Sequence, residues 1–218
     1  MTVAFLIAAG LVAIVDWFAV SRRWRGLEYA AKPLVLALLA VAAASADLGD
    51  VKPWVLAALG SGLLGDVALL FTDENRPVEA VEADVPFLIG LASFLLAHVA
   101  YVIAFVRYGL HPIQLLAGAL VVMGAAVLAL PRILRGVREE GGASLALAVS
   151  AYATVLSAMV ILGFGTAAVA TALGTLLFLA SDLTLAWGRF VQPLLRGPVI
   201  VAVTYHLAQG LILIGLIR

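Results

Sequence analysis

Gly60-Ser61-Gly62-Leu63-Leu64-Gly65-Asp66-Val67-Ala68-Leu69-Leu70-Phe71 sets one carboxylate, Asp66, in a run that is otherwise apolar or tiny. A second run, Leu176-Leu177-Phe178-Leu179-Ala180-Ser181-Asp182-Leu183-Thr184-Leu185-Ala186-Trp187, does the same with Asp182. Runs that are apolar nearly all round belong to helices with no watered face. Composition says which kind. Of 218 residues, 65% are hydrophobic and 12% charged, whereas a soluble domain is about half apolar and about a quarter charged. Mean hydropathy is +1.17. A soluble core cannot absorb that much apolar surface, so the fold class is all-α: a polytopic membrane helix bundle. A lone acid in such a bundle is costly to hold, because no water stabilises its charge, so it faces a protein-lined cavity with a partner or a task.

Working outward from the two runs, apolar segments bounded by charge, Pro or Gly fall at 3–20, 33–46, 53–71, 86–106, 113–130, 144–162, 166–187 and 199–217. This predicts eight transmembrane helices in a single membrane domain covering 1–218. The first segment has no basic residues before it and several after it, which is a first span rather than a cleaved leader. Orientation follows from where Lys and Arg collect. Arg22, Arg23, Arg25 and Lys32 follow span 1, Arg76 follows span 3, Arg132, Arg135 and Arg138 follow span 5, and Arg189 and Arg196 follow span 7. The other side holds only Lys52, Arg107 and Arg218. Both termini are therefore expected on the non-cytoplasmic side. The acidic connection with Asp73, Glu74, Glu79, Glu82 and Asp84 reads as a solvated face or a lid over a cavity mouth. Richness in Ala, Val, Leu and Arg points to a bacterial source, and so to the inner (plasma) membrane.

Several function classes are excluded. With 13 basic and 13 acidic side chains the formal charge is zero, and no basic tract suits nucleic acid. The chain has no cysteine, so disulfides, thiolate metal sites and cysteine nucleophiles are out. A zinc hydrolase needs several ligands around one ion, and of His98, His111 and His206 the second falls in an outer loop. No metal or cofactor is expected.

The polar residues inside the spans converge on one layer. At 1.5 Å per residue, Asp66 and Asp182 each lie about 7–8 Å inside the cytoplasmic boundary, Tyr205 about 9 Å and Tyr152 about 12 Å. Gln209 is one turn beyond Tyr205 on the same face. Lys32 sits at the mouth of span 2. His98, with Tyr101 three residues on, lies deeper and can floor a cavity. Ser181 and Thr184 have an alternative use, bonding back to their own helix. A faint repeat pairs spans 3–4 with spans 7–8: an acid, then His98 and Tyr101, against an acid, then Tyr205, His206 and Gln209.

These residues also carry a resemblance. Lys32-Pro33, Gly65-Asp66, Phe87-Leu88-Ile89-Gly90 through Phe94, His98 and Tyr101, Ala151-Tyr152, Ser181-Asp182-Leu183, and Tyr205 with Ala208-Gln209, taken in order, resemble the YhhN-like family of membrane proteins, the lysoplasmalogenase family. Departures are His206 after Tyr205 and the long acidic connection. The resemblance implies an enzyme that cleaves the vinyl ether bond of a lysoplasmalogen to a fatty aldehyde and a glycerophospho-alcohol. That chemistry needs a protonated carboxylic acid, a form that removal from water favours, and a second group that activates water. Asp66 and Asp182 are the expected catalytic pair. Lys32, His98, Tyr101, Tyr152, Ser181, Tyr205 and Gln209 are the expected substrate-binding residues, with Lys32 suited to a phosphate. The expected partners are a lysophospholipid and the surrounding membrane lipids, and the cavity lies in the cytoplasmic half. The alternative is a transporter or amphiphile-binding membrane protein, in which two acids and Lys32 form a proton relay.

Overall fold

The computed structural model describes residues 1–72 and 85–218. The acidic connection expected as a face or lid, 73–84, lies outside the described residues. Those residues form seven α-helices: α1 (Thr2–Arg22), α2 (Arg25–Ser45), α3 (Lys52–Leu69), α4 (Val85–Tyr108), α5 (Pro112–Gly165), α6 (Val169–Phe190) and α7 (Gly197–Leu216). A single 3-10 turn at Gly49–Val51 leads into α3. By length and composition, all but α3 are apolar enough to cross a membrane. α3 falls short because Lys52, Pro53 and Asp66, with Gly60, Ser61, Gly62 and Gly65, dilute its apolar residues.

Two boundaries differ from expectation. α2 begins at Arg25, not at Pro33, and carries the proline inside. Proline favours a first helical turn, which is why the sequence reads as a start there. Its lost backbone bond is tolerated because a membrane helix packed among others re-satisfies the freed groups locally. The segments expected at 113–130 and 144–162 belong to one bent helix. α5 is 54 residues long and is broken at Gly142, where φ is 65° and ψ is −156°. Only glycine occupies that region without a steric cost. Beyond the bend the chain doubles back. The amide of His111 donates to the carbonyl of Gly165 across 2.8 Å, so the two ends of α5 meet. Gly118 on one arm lies against the backbone of Ile161 on the other, where a Cβ would come within 2.9 Å.

The helices close a ring in which α7 packs on α6, α1 and α2, and α2–α3, α3–α4, α4–α5 and α5–α6 are neighbours. Both termini lie at the same end: Thr2 Oγ1 bonds Ser45 Oγ at 3.2 Å, and the amide of Arg218 donates to Asp47 at 3.0 Å. The interior reverses the pattern of a soluble protein. Ala13, Ala42, Ala43, Ala58, Ala104 and Ala208 are buried, while Leu11, Ile14, Leu120, Met123, Val127 and Leu147 face outward. Small residues inside let backbones approach, and large ones outside meet lipid. Large apolar side chains such as Leu36, Leu59, Phe105, Phe178 and Ile212 fill the rest of the core, and the polar side chains among them build the site.

Candidate active site

α3 brings Asp66 inward, and the carboxylate is 4% exposed. Its two glycines serve this. A Cβ on Gly62 would lie 2.9 Å from Tyr205 Oη and 3.2 Å from Gln209 Nε2, so the missing side chain is what admits the polar face of α7. A Cβ on Gly65 would meet the Phe94 ring at 2.8 Å. The Tyr205 hydroxyl faces Asp66 and Gln209, close enough to interact with both, without a hydrogen bond of full geometry to either. Tyr101 donates its hydroxyl proton to Gln209 Oε1 at 2.5 Å, which orients the amide. Lys32 on α2 sits among three carboxylates, Asp66, Glu28 and Asp16, and bonds Glu28 at 3.1 Å.

α6 supplies the second carboxylate. Tyr152, on the second arm of α5, donates to Asp182 Oδ2 at 2.6 Å. His98 Nε2 lies 3.7 Å from the same oxygen. The imidazole is clamped edge-on between Tyr152 and Phe178, with centroids at 5.1 and 4.8 Å. A cavity of about 60 Å³ is lined by Asp182 and Tyr152 together with apolar residues, among them Phe87, Leu91, Phe94 and Val149, and by Arg189. That volume holds a few waters or a short piece of chain. The Arg189 guanidinium lies 4.2 Å over the Phe87 ring and 3.0 Å from Glu140 Oε1.

Aromatic rings separate the two carboxylate clusters. Phe94 and Phe178 both stand edge-on to Tyr205, at 5.7 and 5.4 Å, and Phe178 also touches His98. The expected residues therefore divide. Lys32, Tyr101, Tyr205 and Gln209 gather with Asp66, and His98 and Tyr152 gather with Asp182. Ser181 joins neither by a bond: its hydroxyl donates to the carbonyl of Val201 at 3.3 Å and ties α6 to α7.

Sequence reasoning missed Asp16, Glu28 and the placement of Arg189. Asp16 is fully buried on α1. The signal for it was present, an acid inside the first apolar segment, the same signal that singled out Asp66. Among the described residues no three His, Asp or Glu side chains come close enough together to hold a metal ion. His98 lies by Asp182, His206 by Asp16, and His111 caps the start of α5 at the far end of the bundle.

An apolar exterior around one buried and one part-buried carboxylate, each with tyrosine at hand, defines an integral membrane protein with an inward-facing polar site. The YhhN family model matches residues 27–216, and the chain belongs to the YhhN family. It is similar to the lysoplasmalogenase TMEM86B of Sus scrofa, with 37% identity over 132 residues, 58% of this chain and 52% of that protein. To the lysoplasmalogenase TMEM86B of Homo sapiens it is 36% identical over 132 residues, covering 61% and 54%. The chain spans about half the length of the curated relatives it matches. No solved structure matches it.

Proposed function

We propose that this protein is a membrane-embedded hydrolase that cleaves the vinyl ether bond of 1-alkenyl lysophospholipids, with Asp66 and Asp182 as its acid and base. The observation that carries the reading is the mainly apolar cavity lined also by Asp182, Tyr152 and Arg189. It suits the short piece of chain that carries the reacting bond, beside a carboxylate, with a phosphate near a guanidinium, which binds phosphate in a planar, two-pronged way. The names of the two relatives point to the same substrate class.

In the proposed reaction a carboxylic acid gives its proton to the β-carbon of the vinyl ether, and the double-bond electrons form the new C–H bond. The oxocarbenium ion that results is stabilised by the neighbouring carboxylate. Water adds to the α-carbon and its surplus proton goes to a carboxylate. The hemiacetal then moves its hydroxyl proton to the ether oxygen, the C–O bond breaks, and alcohol and aldehyde part. Tyr152 holds Asp182 in place, and His98 stands beside it. Tyr205, Tyr101 and Gln209 orient groups around Asp66. Lys32, expected as the phosphate anchor, is a charge partner of Asp66 in this scheme, and Arg189 is the nearer candidate for the phosphate. Ser181 contributes by fixing α6 against α7.

In the same proposal the two arms of α5 each cross the bilayer and α3 spans with its neighbours, which makes eight spans. Both termini face the non-cytoplasmic side of a bacterial inner membrane, and the cavity opens in the cytoplasmic half. The support is the Lys and Arg bias of the connections.

The test is aldehyde release from a vinyl-ether lysophospholipid by the purified chain in detergent, beside Asp66→Asn and Asp182→Asn. Wild-type turnover with both variants strongly impaired is the expected result. Full turnover by both variants overturns the mechanism. Binding or movement of the lipid without hydrolysis by the wild type would favour the transporter reading.

A further inference from the structure

Around Asp66 lies a group of buried polar atoms, of which Asp16 and His206 have no part in the proposed reaction. They come from three helices: both carboxylate oxygens of Asp16 on α1, Oδ2 of Asp66 on α3, and Tyr205 Oη, His206 Nε2 and Gln209 Nε2 on α7. None makes a hydrogen bond of full geometry within the protein among the described residues. Lys32, on a fourth helix, is an electrostatic neighbour of both Asp16 and Asp66. Buried polar atoms are almost always hydrogen-bonded, to protein or to ordered water. In a bilayer the cost of leaving them bare is higher, because no bulk solvent reaches them.

The set is balanced in a telling way. Trp17 Nε1 donates to both Ala202 O and His206 Nδ1 at 3.2 Å, which favours Nδ1 as acceptor and the ring proton on Nε2. Nδ1 then has no proton to offer Asp16 Oδ2, 3.9 Å away. His206 Nε2, the Gln209 amide and the Tyr205 hydroxyl are donors, while Asp16 and Asp66 are acceptors. Among the described residues Asp16 and His206 Nε2 have no hydrogen-bond partner, and Tyr205 Oη, beside Asp66 and Gln209, completes no bond of full geometry with either. Small polar bridges that donate and accept at once complete such a set, and water is the smallest of them.

We propose that α1, α2, α3 and α7 enclose a hydrated chamber around Asp16, Asp66, Tyr205, His206 and Gln209, and that this chamber supplies the hydrolytic water to the active site. The supply role rests on the hydrolase reading above; the hydration does not. Asp16 is its key positioning residue: it touches no reacting atom and acts by holding the waters that reach Asp66. It lies outside residues 27–216, the part matched by the family model, so α1 becomes a working part of this chain rather than an added span. Water then arrives from the Asp66 side, and the lipid chain from the Asp182 side. The aromatic wall of Phe94, Phe178 and Tyr205 keeps the two streams apart until they meet.

The experiment is radiolytic hydroxyl-radical footprinting of the purified full chain, in which radicals formed from bound water oxidise the side chains beside it. It is read by mass spectrometry for wild type, Asp16→Leu and Asp16→Asn. Tyr205 and His206 are expected to label faster than Phe178 and Phe105, which are at least as deeply buried. Asp16→Leu removes the acceptors and should abolish the excess labelling, while Asp16→Asn, which keeps one acceptor and adds a donor, should preserve most of it. On the vinyl-ether substrate, Asp16→Leu should lower kcat about tenfold or more and leave KM within about twofold. Wild-type labelling of Tyr205 and His206 no faster than Phe178 overturns the chamber whatever the activity, and so does labelling that Asp16→Leu leaves unchanged. Excess labelling lost in Asp16→Leu with kcat intact overturns the supply role. If the wild type labels as expected but hydrolyses no vinyl ether, the hydrolase reading fails and the chamber stands.

Discussion

Asp66 lies in the last turn of α3 and Asp182 about two turns before the end of α6, and their surroundings are opposite. Asp182 lines a mainly apolar cavity, is held by one short bond from Tyr152, and has His98 as its second neighbour. Asp66 is set among charges and orphaned polar atoms, with Lys32 and Asp16 close by and α7 supplying Tyr205 and Gln209. Two acids in such different settings are suited to different tasks. In the proposed reaction the apolar side receives the alkenyl chain and the polar side receives the water.

The largest effects should come from the carboxylates themselves. Asp66→Asn and Asp182→Asn are each expected to lower turnover by about 10²–10⁴-fold, the range of a lost acid or base. If they act as one unit, the double variant will be little worse than either single one, measured as aldehyde release. A double variant whose loss is the product of the two would break the idea that they share a reaction.

Next come the two tyrosine bonds, which set the clusters against each other. Tyr152→Phe removes a bond to Asp182 and should lower kcat roughly 10–100-fold, matching about 1.5–3 kcal/mol for a bond to a charged group. Tyr101→Phe removes a bond to the neutral Gln209 and should cost only about 1 kcal/mol, or about fivefold. Equal losses would erase the distinction drawn here.

Gly62→Ala tests the access of α7 to Asp66. The new methyl meets Tyr205 Oη at 2.9 Å and Leu36 at 3.1 Å, and overpacking of that kind destabilises by about 1–3 kcal/mol. The expected result is a lowered Tm in detergent with Asp66-side function reduced; an unchanged Tm would mean that α3 and α7 are less tightly opposed. The smallest effect is expected at the far end of the bundle. His111→Ala, exposed at the start of α5, should change turnover and Tm by no more than the roughly 0.5 kcal/mol usual for surface sites.

Much of this was legible in the sequence, for particular reasons. Asp66 and Asp182 stood out because a charge is conspicuous in apolar surroundings. Tyr205 and Gln209 followed from helical spacing. Asp16 carries the same conspicuous signal as Asp66, an acid inside an apolar segment. Arg189 was visible only as one of the positive charges that set orientation. Ser181 looked like a site residue from its place beside Asp182, but a helix turns by about 100° per residue, and its hydroxyl reaches α7 instead.

The sequence by itself determined the solvent. Its 65% hydrophobic content and scattered acids require a helical membrane protein, since only helices or closed barrels satisfy their backbone bonds in lipid. It also determined which side chains would be costly and therefore worth explaining. Tertiary structure alone decided how those side chains are shared out. The hairpin at Gly142 carries Tyr152 to Asp182, and the approach of α1 and α7 to α3 places Asp16 and Gln209 around Asp66. Helices that are apolar on every face carry no periodic signal for rotation or neighbour. Close packing of small residues, such as Gly62 against α7, supplies that information only when the helices meet.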